Sequence, residues 1–227
     1  MSFFKFPSTP HLAVLAGSDI REDKVLSEVE RDAFLAHEVV IEEKVDGANL
    51  GISFAPDGAV QLQNRGEFLR EPLTGQWKTV GAWLRPRMDA LFDLLEDRLI
   101  LFGEWCYARH SVPYTSLPDW FLAFDVWDKV SQRFWSTRRR DSLARSAGLA
   151  SVRRAGKGHF RFDELEPFFS ASGYGEEPVE GLYLRREDDD WLLDRAKLVR
   201  SAFIQSVEEH WSRSEIRRNK VVREATK

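Results

Sequence analysis

Hydrophobic and polar residues follow one another in short runs along the chain, and most of these runs have the length of a β-strand. Residues 37–45 (HEVVIEEKV) and 49–55 (NLGISFA) flank an Asp46-Gly47 pair, a frequent signal for a tight hairpin turn. The same kind of pattern predicts further strands, which cover residues 59–65, 99–107, 120–128, 133–136, 180–187 and 191–200. The short turns between these runs favour antiparallel pairing.

Helical spacing of apolar residues occurs in fewer places. Residues 79–98 have this spacing, and Pro86 is expected to mark or kink the first turn of their helix. Residues 136–148 begin with a Ser/Thr cap and end at a glycine, which also predicts a helix. We expect a shorter helix at 162–172 and a last one from Ser201 to the end of the chain. Strand runs with segregated helices predict an α+β fold of antiparallel sheets flanked by helices.

Composition limits the class of protein. The chain has 227 residues, 43% of them hydrophobic, which suits one large domain, or one domain with a small helical annex. The single cysteine excludes an internal disulfide bond. The N-terminus lacks a long apolar segment and no run is long enough to span a bilayer, so we expect a soluble, cytoplasmic protein.

The charge is mildly negative overall but unevenly distributed. A formal net charge of −4 argues weakly against non-specific nucleic-acid binding. Basic clusters nevertheless occur at 138–140, 153–161 and 217–223, while acidic clusters occur at 186–191 and 207–210. This segregation permits a basic face on an acidic protein, although a solvated helix face is the favoured explanation for any single cluster.

Four stretches carry the chemistry of interest, and no glycine-rich phosphate loop accompanies them. In chain order they are EKVDGAN (43–49), FGEW (102–105) with FLAFDVWD (121–128), EGLYLR (180–185) and DRAKLVR (194–200). Together they resemble motifs I, III, IIIa, IV and V of the covalent nucleotidyltransferases, which include ATP-dependent ligases and capping enzymes. Asn49, the segment QNRGEF (63–68) and the loop HSVPY (110–114) are most similar to small RNA ligases of the T4 RNA ligase 2 type.

Lys44 is the candidate nucleophile. A free lysine has a pKa near ~10.4, which burial and nearby cations or a metal would lower. The resemblance implies that its amine attacks the α-phosphate of ATP, giving lysyl-AMP and pyrophosphate. The alternative is a surface lysine at a strand end, paired with Glu43.

The resemblance also implies nucleotide and RNA contacts. Phe124 would stack on adenine, although its strand position also suits core packing. Glu42 would contact the adenine edge, or else be an exposed strand acid. Arg65 would contact ribose or the strand carrying the 3′-OH, or else be a surface arginine. Asn49 is expected among the nucleotide-binding residues.

Two acids and two cations complete the predicted site. The resemblance implies that Glu104 contacts ribose or metal-bound water. It also implies that Glu180 binds water molecules that coordinate a catalytic Mg²⁺. Salt bridges from Glu180 to Arg195 or Lys197 are the alternative. Arg195 and Lys197 alternate along one strand and so share a face, which suits a triphosphate. The family usually has lysine at both positions, so Arg195 departs from its pattern.

The resemblance therefore implies an ATP-dependent RNA ligase that uses Mg²⁺ and joins 3′-OH and 5′-phosphate ends of nicked or broken RNA. A DNA nick ligase, another nucleotidyltransferase, or a protein that binds ATP and RNA without joining ends are the alternatives. Residues 1–200 are expected to form the nucleotidyltransferase domain. Residues 201–227 are expected to form a helical tail, which is too short for an OB-fold.

Overall fold

Two β-sheets form the framework, and the structure, a computed structural model, describes residues 3–15, 25–200 and 217–222. The strands are β1 (Val39–Lys44), β2 (Ala48–Phe54), β3 (Val60–Gln63), β4 (Leu99–Trp105), β5 (Phe121–Asp128), β6 (Arg133–Phe134), β7 (Ala150–Ser151), β8 (Arg154–Gly158), β9 (Gly181–Glu187) and β10 (Leu192–Val199). The helices are α1 (Glu28–Leu35), α2 (Val80–Leu84), α3 (Met88–Leu95) and α4 (Thr137–Ser146). The predicted α+β fold is confirmed.

The first sheet has the antiparallel order β10-β9-β1-β8. Because side chains alternate between the faces of a strand, its apolar residues collect on one face, where they meet α1. That core contains Leu12, Phe34, Leu35, Val39, Ile41, Leu182, Leu184, Ala196 and Leu198. The opposite face carries polar and charged residues and turns toward the second sheet.

The second sheet has the order β3-β2-β4-β5-β6, with the short β7 parallel to β5. The hairpin predicted at Asp46-Gly47 is wrong, because β1 and β2 lie in different sheets and pair with other strands. Its apolar face packs against α2, α3 and α4. The buried residues of this core include Leu50, Ile52, Phe54, Val80, Trp83, Leu91, Leu95, Leu101, Phe121, Ala123 and Leu143. Each sheet is therefore covered on one face by helix and leaves its other face to the space between the sheets.

The helices follow the sequence signals with local changes. A 3₁₀ turn at Arg85–Arg87, which contains Pro86, divides the predicted helix of residues 79–98 into α2 and α3. The Ser136 hydroxyl caps α4 by accepting from the backbone N–H of Arg139. The predicted helix at 162–172 is a 3₁₀ helix, Phe162–Phe168.

Two terminal segments are joined to this framework by backbone hydrogen bonds. Near the N-terminus, Leu12 and Pro10 bond to the backbone of Lys197 on β10. Near the C-terminus, residues 217–222 run along the loop between β4 and β5. The predicted C-terminal helix is wrong for residues 217–222, which are extended, and its remaining residues lie outside the described ones.

Within these described segments, no helix is both long and apolar enough to cross a membrane.

Candidate active site

A cavity of about 320 Å³ lies between the inner faces of the two sheets. Strands of both sheets and the N-terminal segment contribute to its wall. The lining residues are Phe6, Thr9, Glu42, Glu43, Lys44, Val45, Gly47, Asn49, Arg65, Glu104, Phe124, Val152, Tyr183 and Lys197. The structure thus brings most of the predicted site residues to one place.

Lys44 is the last residue of β1, and its ammonium group points at an acid. Lys44 pairs with Gly181 across the sheet, so the preceding residue, Glu180, lies beside it. The distance from Lys44 Nζ to Glu180 Oε1 is 2.5 Å. The lysine side chain is 27% exposed and that of Glu180 is 5% exposed. This pair replaces the salt bridges from Glu180 to Arg195 or Lys197 that the sequence left open.

Glu43 is not the partner of Lys44. Its carboxylate accepts hydrogen bonds from the Ser172 hydroxyl and from the Gly173 backbone N–H, which is 2.9 Å away. The alternative of a lysine paired with Glu43 at a strand end is therefore wrong, and Lys44 is directed into the cavity instead.

The electrostatics of the lysine and its acids are closely linked. Burial lowers the pKa of Lys44, but the negative charges of Glu180, Glu104 and Asp46 outweigh it, so the net shift is upward. The expected lowering of this pKa is therefore wrong for the protein without ligand. Burial raises the pKa of Glu104 to about 8 and that of Glu180 to about 7. Additional positive charge in the cavity would stabilise the ionised form of both acids.

Two buried oxygen atoms near the lysine, Glu180 Oε2 and Asn49 Oδ1, have no hydrogen-bond partner among the described residues. An unsatisfied buried polar group typically costs about 1–3 kcal/mol. Both atoms are acceptors, so the donors that fit them are metal-bound water, a protonated ligand group or a cation.

The described acids of this site do not form a preformed metal cage. Among residues 3–15, 25–200 and 217–222, no group of three or more histidine, cysteine, aspartate or glutamate side chains is arranged to hold one. Mg²⁺ retains much of its water and takes few direct carboxylates, so a site with Glu180 and Glu104 fits this ion.

Lys197 and Arg195 share one face of β10, as their alternation predicts, but only Lys197 lines the cavity. The Arg195 guanidinium donates to Asp125 Oδ2 at 2.8 Å and lies over the rings of Phe6 and Phe134. Its charge is already paired and its side chain is held away from the cavity. The structure therefore does not support the predicted phosphate contact of Arg195.

Phe124 lies in the cavity wall at a β-bulge. Gly103 pairs with Ala123 and Phe102 pairs with Asp125, so Phe124 is the extra residue on β5. Its ring lines the cavity, while the next side chain, Asp125, binds arginines of the first sheet.

Glu42 borders the cavity, but both of its carboxylate oxygens are already bonded. Arg140 on α4 donates to them at 2.6 and 3.1 Å, and each side chain of this pair is 1% exposed. Arg185 lies 3.9 Å from the same carboxylate. Glu42 is therefore not an exposed strand acid, and the predicted contact to the adenine edge would add to a carboxylate that is already held by arginine.

Asn49 lies inside the cavity, whereas Arg65 lies at its exposed rim. Asn49 lies on β2 directly opposite Glu104 of β4, inside the cavity. Arg65 follows β3 and is exposed where it borders the cavity. An exposed arginine at the rim is accessible to a large ligand.

The turn after Lys44 is fixed by a loop that the sequence did not connect with it. We call residues 106–120, between β4 and β5, the Tyr114 loop. Asp46 Oδ2 accepts from the backbone N–H groups of Ser111 and Val112 at 2.6 and 2.8 Å. The Asp46 N–H donates to the Tyr114 hydroxyl at 2.8 Å. These bonds hold the chain beyond the lysine in place.

The N-terminal segment is a further contributor that sequence reasoning missed. Phe6 and Thr9 line the cavity, and the Thr9 hydroxyl lies 3.2 Å from that of Tyr183. None of the motif stretches includes this segment, so no sequence signal placed it at the site.

The chain is similar to a known protein family in sequence and to solved structures in fold. A family model described as RNA ligase matches residues 37–199. No curated protein sequence gives a significant match.

Solved structures share the fold. A Naegleria gruberi RNA ligase variant with ATP and Mn has 18% identity and a TM-score of 0.61, covering 77% of this chain and 53% of that one. A variant with AMP and Mn has 16% identity and a TM-score of 0.63, covering 89% and 57%. The same ligase with PPi has 18% identity and a TM-score of 0.59, covering 93% and 65%. The chain spans little more than half the length of the first of these.

The family match covers more than half of the chain and includes the four motif stretches except for Arg200, the last residue of the fourth. The chain belongs to the RNA ligase family. The resemblance to RNA ligases drawn from the four motifs is thereby confirmed.

Proposed function

We propose that the protein is an ATP-dependent RNA ligase that joins 3′-OH and 5′-phosphate ends through a lysyl-AMP intermediate. The observation that carries this proposal is the Lys44–Glu180 pair at 2.5 Å beside a cavity that also contains Phe124 and Lys197. The ATP, AMP and PPi complexes of the Naegleria ligase support a nucleotide in a cavity of this fold. We assign residues 1–200 to the nucleotidyltransferase domain.

In the first step, the amine of Lys44 attacks the α-phosphorus of ATP. A nitrogen–phosphorus bond forms, the bond from the α-phosphorus to the bridging oxygen breaks, and pyrophosphate leaves with the electron pair. The ammonium must lose a proton before it attacks. Glu180 is within hydrogen-bond distance, and its pKa, raised by burial to about 7, suits a proton acceptor near neutral pH.

The other lining residues have roles that match their chemistry. Phe124 stacks on the base, and such stacking contributes roughly 1–3 kcal/mol. Lys197 binds phosphate oxygens and stabilises the charge of the leaving pyrophosphate. Mg²⁺, when bound, would neutralise phosphate charge, and Glu180 with Glu104 would hold it through its waters.

In the later steps, AMP passes from Lys44 to the 5′-phosphate of the RNA, and the 3′-OH then attacks that phosphate and releases AMP. We assign Asn49, whose Oδ1 has no partner among the described residues, to the nucleotide, and the exposed Arg65 at the rim to ribose or the strand carrying the 3′-OH. Nicked or broken RNA supplies both ends.

A joining assay with two kinds of 5′ end tests this proposal. Nicked duplexes with RNA on the 3′-OH side should be joined by the parent protein with ATP and Mg²⁺, whereas Lys44→Ala should join none. The same variant should join a duplex whose 5′-phosphate already carries AMP, because that substrate bypasses the lysine. Preferential joining of nicks with DNA on the 3′-OH side would instead favour a DNA ligase. Failure of the parent protein on every substrate would reject the proposal.

A further inference from the structure

The C-terminal segment, residues 217–222, is bound to the Tyr114 loop along its length. The Arg109 N–H donates to the Arg217 carbonyl at 2.8 Å, and the Leu117 N–H donates to the Lys220 carbonyl at 3.0 Å. In the other direction, the Val222 N–H donates to the Leu117 carbonyl at 2.8 Å. The segment therefore occupies a defined position on the protein.

One buried side chain anchors this segment. Asn219 is buried, and its amide donates to the carbonyls of Cys106 and Ala108 at 2.9 and 3.3 Å. Its side-chain oxygen accepts from the Tyr114 N–H at 2.9 Å. Asn219 is buried while Arg218 and Lys220, on either side of it, are exposed.

Four cations are exposed where the segment and the loop meet, namely Arg109, Arg217, Arg218 and Lys220, which we call the cationic ridge. Within the described parts of the chain, none of the four forms an ion pair. Arg218 lies over the ring of Tyr107 at 5.2 Å, which leaves its charge uncompensated. The ridge is positive on a protein whose formal net charge is −4.

The Tyr114 loop links the ridge to the turn that follows Lys44. His110, the residue after Arg109, has Nε2 3.0 Å from Gln76 Oε1 and Nδ1 4.0 Å from Asp46 Oδ1. Asp46 in turn follows Lys44 by two residues and bonds to the Tyr114 loop. The loop thus connects the ridge directly to the turn beyond the nucleophile.

We infer that the cationic ridge binds the phosphodiester backbone of the RNA strand whose end enters the cavity. This inference rests on the proposed function and adds to it the surface that holds the substrate. Exposed lysines and arginines that neutralise phosphates release counterions, so the affinity depends steeply on salt. Contacts of this kind position a strand without reading its sequence.

The test is the salt dependence of RNA binding by the full chain. Anisotropy of a labelled 5′-phosphorylated single-stranded RNA would be measured between about 50 and 200 mM salt. For the variant with Arg217→Ser, Arg218→Ser and Lys220→Ser, we expect weaker binding. The slope of log K against log salt should be smaller by roughly 2, because each phosphate that is no longer neutralised reduces it by about 0.7. An unchanged slope would overturn the inference.

Two control variants separate charge from structure. Arg161→Ser removes an exposed arginine that is paired with Asp163, so its slope should equal that of the parent. The double variant Arg217→Lys with Arg218→Lys keeps the charge and should keep the slope. A slope that falls equally in Arg161→Ser would show a non-specific effect of net charge and reject the ridge.

Self-adenylylation distinguishes this inference from the proposed function. It needs no RNA, so the triple serine variant should gain AMP as the parent does. If the parent gains no AMP but the slopes differ as expected, the ridge stands and the ligase proposal fails. If the triple variant loses adenylylation together with binding, the segment acts on the nucleotide cavity, and the assignment of the ridge to RNA is wrong.

Discussion

The substitution Arg140→Met would remove one half of a buried ion pair that joins α4 to β1. The guanidinium donates to both oxygens of Glu42 and, at 2.8 Å, to the Phe124 carbonyl. Each side chain of the pair is 1% exposed, so little water is available to replace the lost partner. Breaking such a pair from one side typically destabilises a protein by about 3–5 kcal/mol.

This loss is measurable because it is a large part of the free energy of unfolding of a typical domain. Domains are usually stable by about 5–15 kcal/mol. For a chain of this size, 1 kcal/mol corresponds to about 2–4 °C in Tm, so we expect a decrease of roughly 6–20 °C. Urea unfolding followed by circular dichroism should show a lower midpoint with an unchanged m-value.

Arg138→Met is the matched control on the same helix. Its side chain is 66% exposed and pairs with Asp190, so the change should stay within about 1 kcal/mol. The double variant Arg140→Met with Glu42→Gln should lose less than the sum of the single variants, because neither then leaves a buried charge alone. A loss below about 1 kcal/mol for Arg140→Met would refute the view that Glu42 is held by this pair.

Three further predictions concern the cavity and its support. Phe124→Ala should weaken ATP binding by roughly 1–3 kcal/mol, measured by calorimetry, and unchanged affinity would exclude stacking on its ring. Gly103→Ala should destabilise the fold by about 1–3 kcal/mol in urea, because the added Cβ would lie 2.3 Å from the buried Phe121 ring; a neutral result would contradict this packing. Burial raises the pKa of Glu104 to about 8, above its value in the unfolded chain, so its contribution to stability is present below about pH 4.5 and is lost as the pH rises to about 8. Glu104→Gln should therefore flatten the fall in stability across this window, and parallel curves for variant and parent would contradict the shift.

The local sequence pattern was sufficient for the strands that build the cavity. The apolar residues before Lys44 and the apolar run around Phe124 each lie close together in the chain. The order of the motifs along the chain predicted that Glu180 and Lys197 belong to the same site as Lys44, although the pairing of their strands was not predicted. For these residues, local pattern and tertiary structure agree.

Charged partners distant in sequence were the main source of error. Arg140 lies 98 residues from Glu42, and Asp125 lies 70 residues from Arg195. No periodicity or spacing connects residues so far apart, so the sequence did not show that Glu42 and Arg195 each have an ion-pair partner. The β-bulge at Phe124, which directs Asp125 toward the other sheet, has no signal in the alternation.

Segments with weak propensity were missed for a different reason. The edge strand β8 has the sequence RAGKG, in which glycine and basic residues disfavour a strand. It forms because the neighbouring β1 offers backbone pairing and because Gly156 leaves room for Phe168. Residues 217–222 are likewise held by backbone bonds and Asn219, not by a pattern of their own.

The most direct test of the proposed mechanism is the intact mass of the purified protein after incubation with ATP and Mg²⁺. We predict that the parent gains one adenylyl group, which acid removes as expected for a phosphoramidate. Lys44→Ala should gain none, while Lys157→Ala, which removes an exposed lysine paired with Glu38, should gain it like the parent. If the parent gains no nucleotide, or if Lys44→Ala is labelled as well, Lys44 is not the nucleophile and the proposed mechanism is wrong.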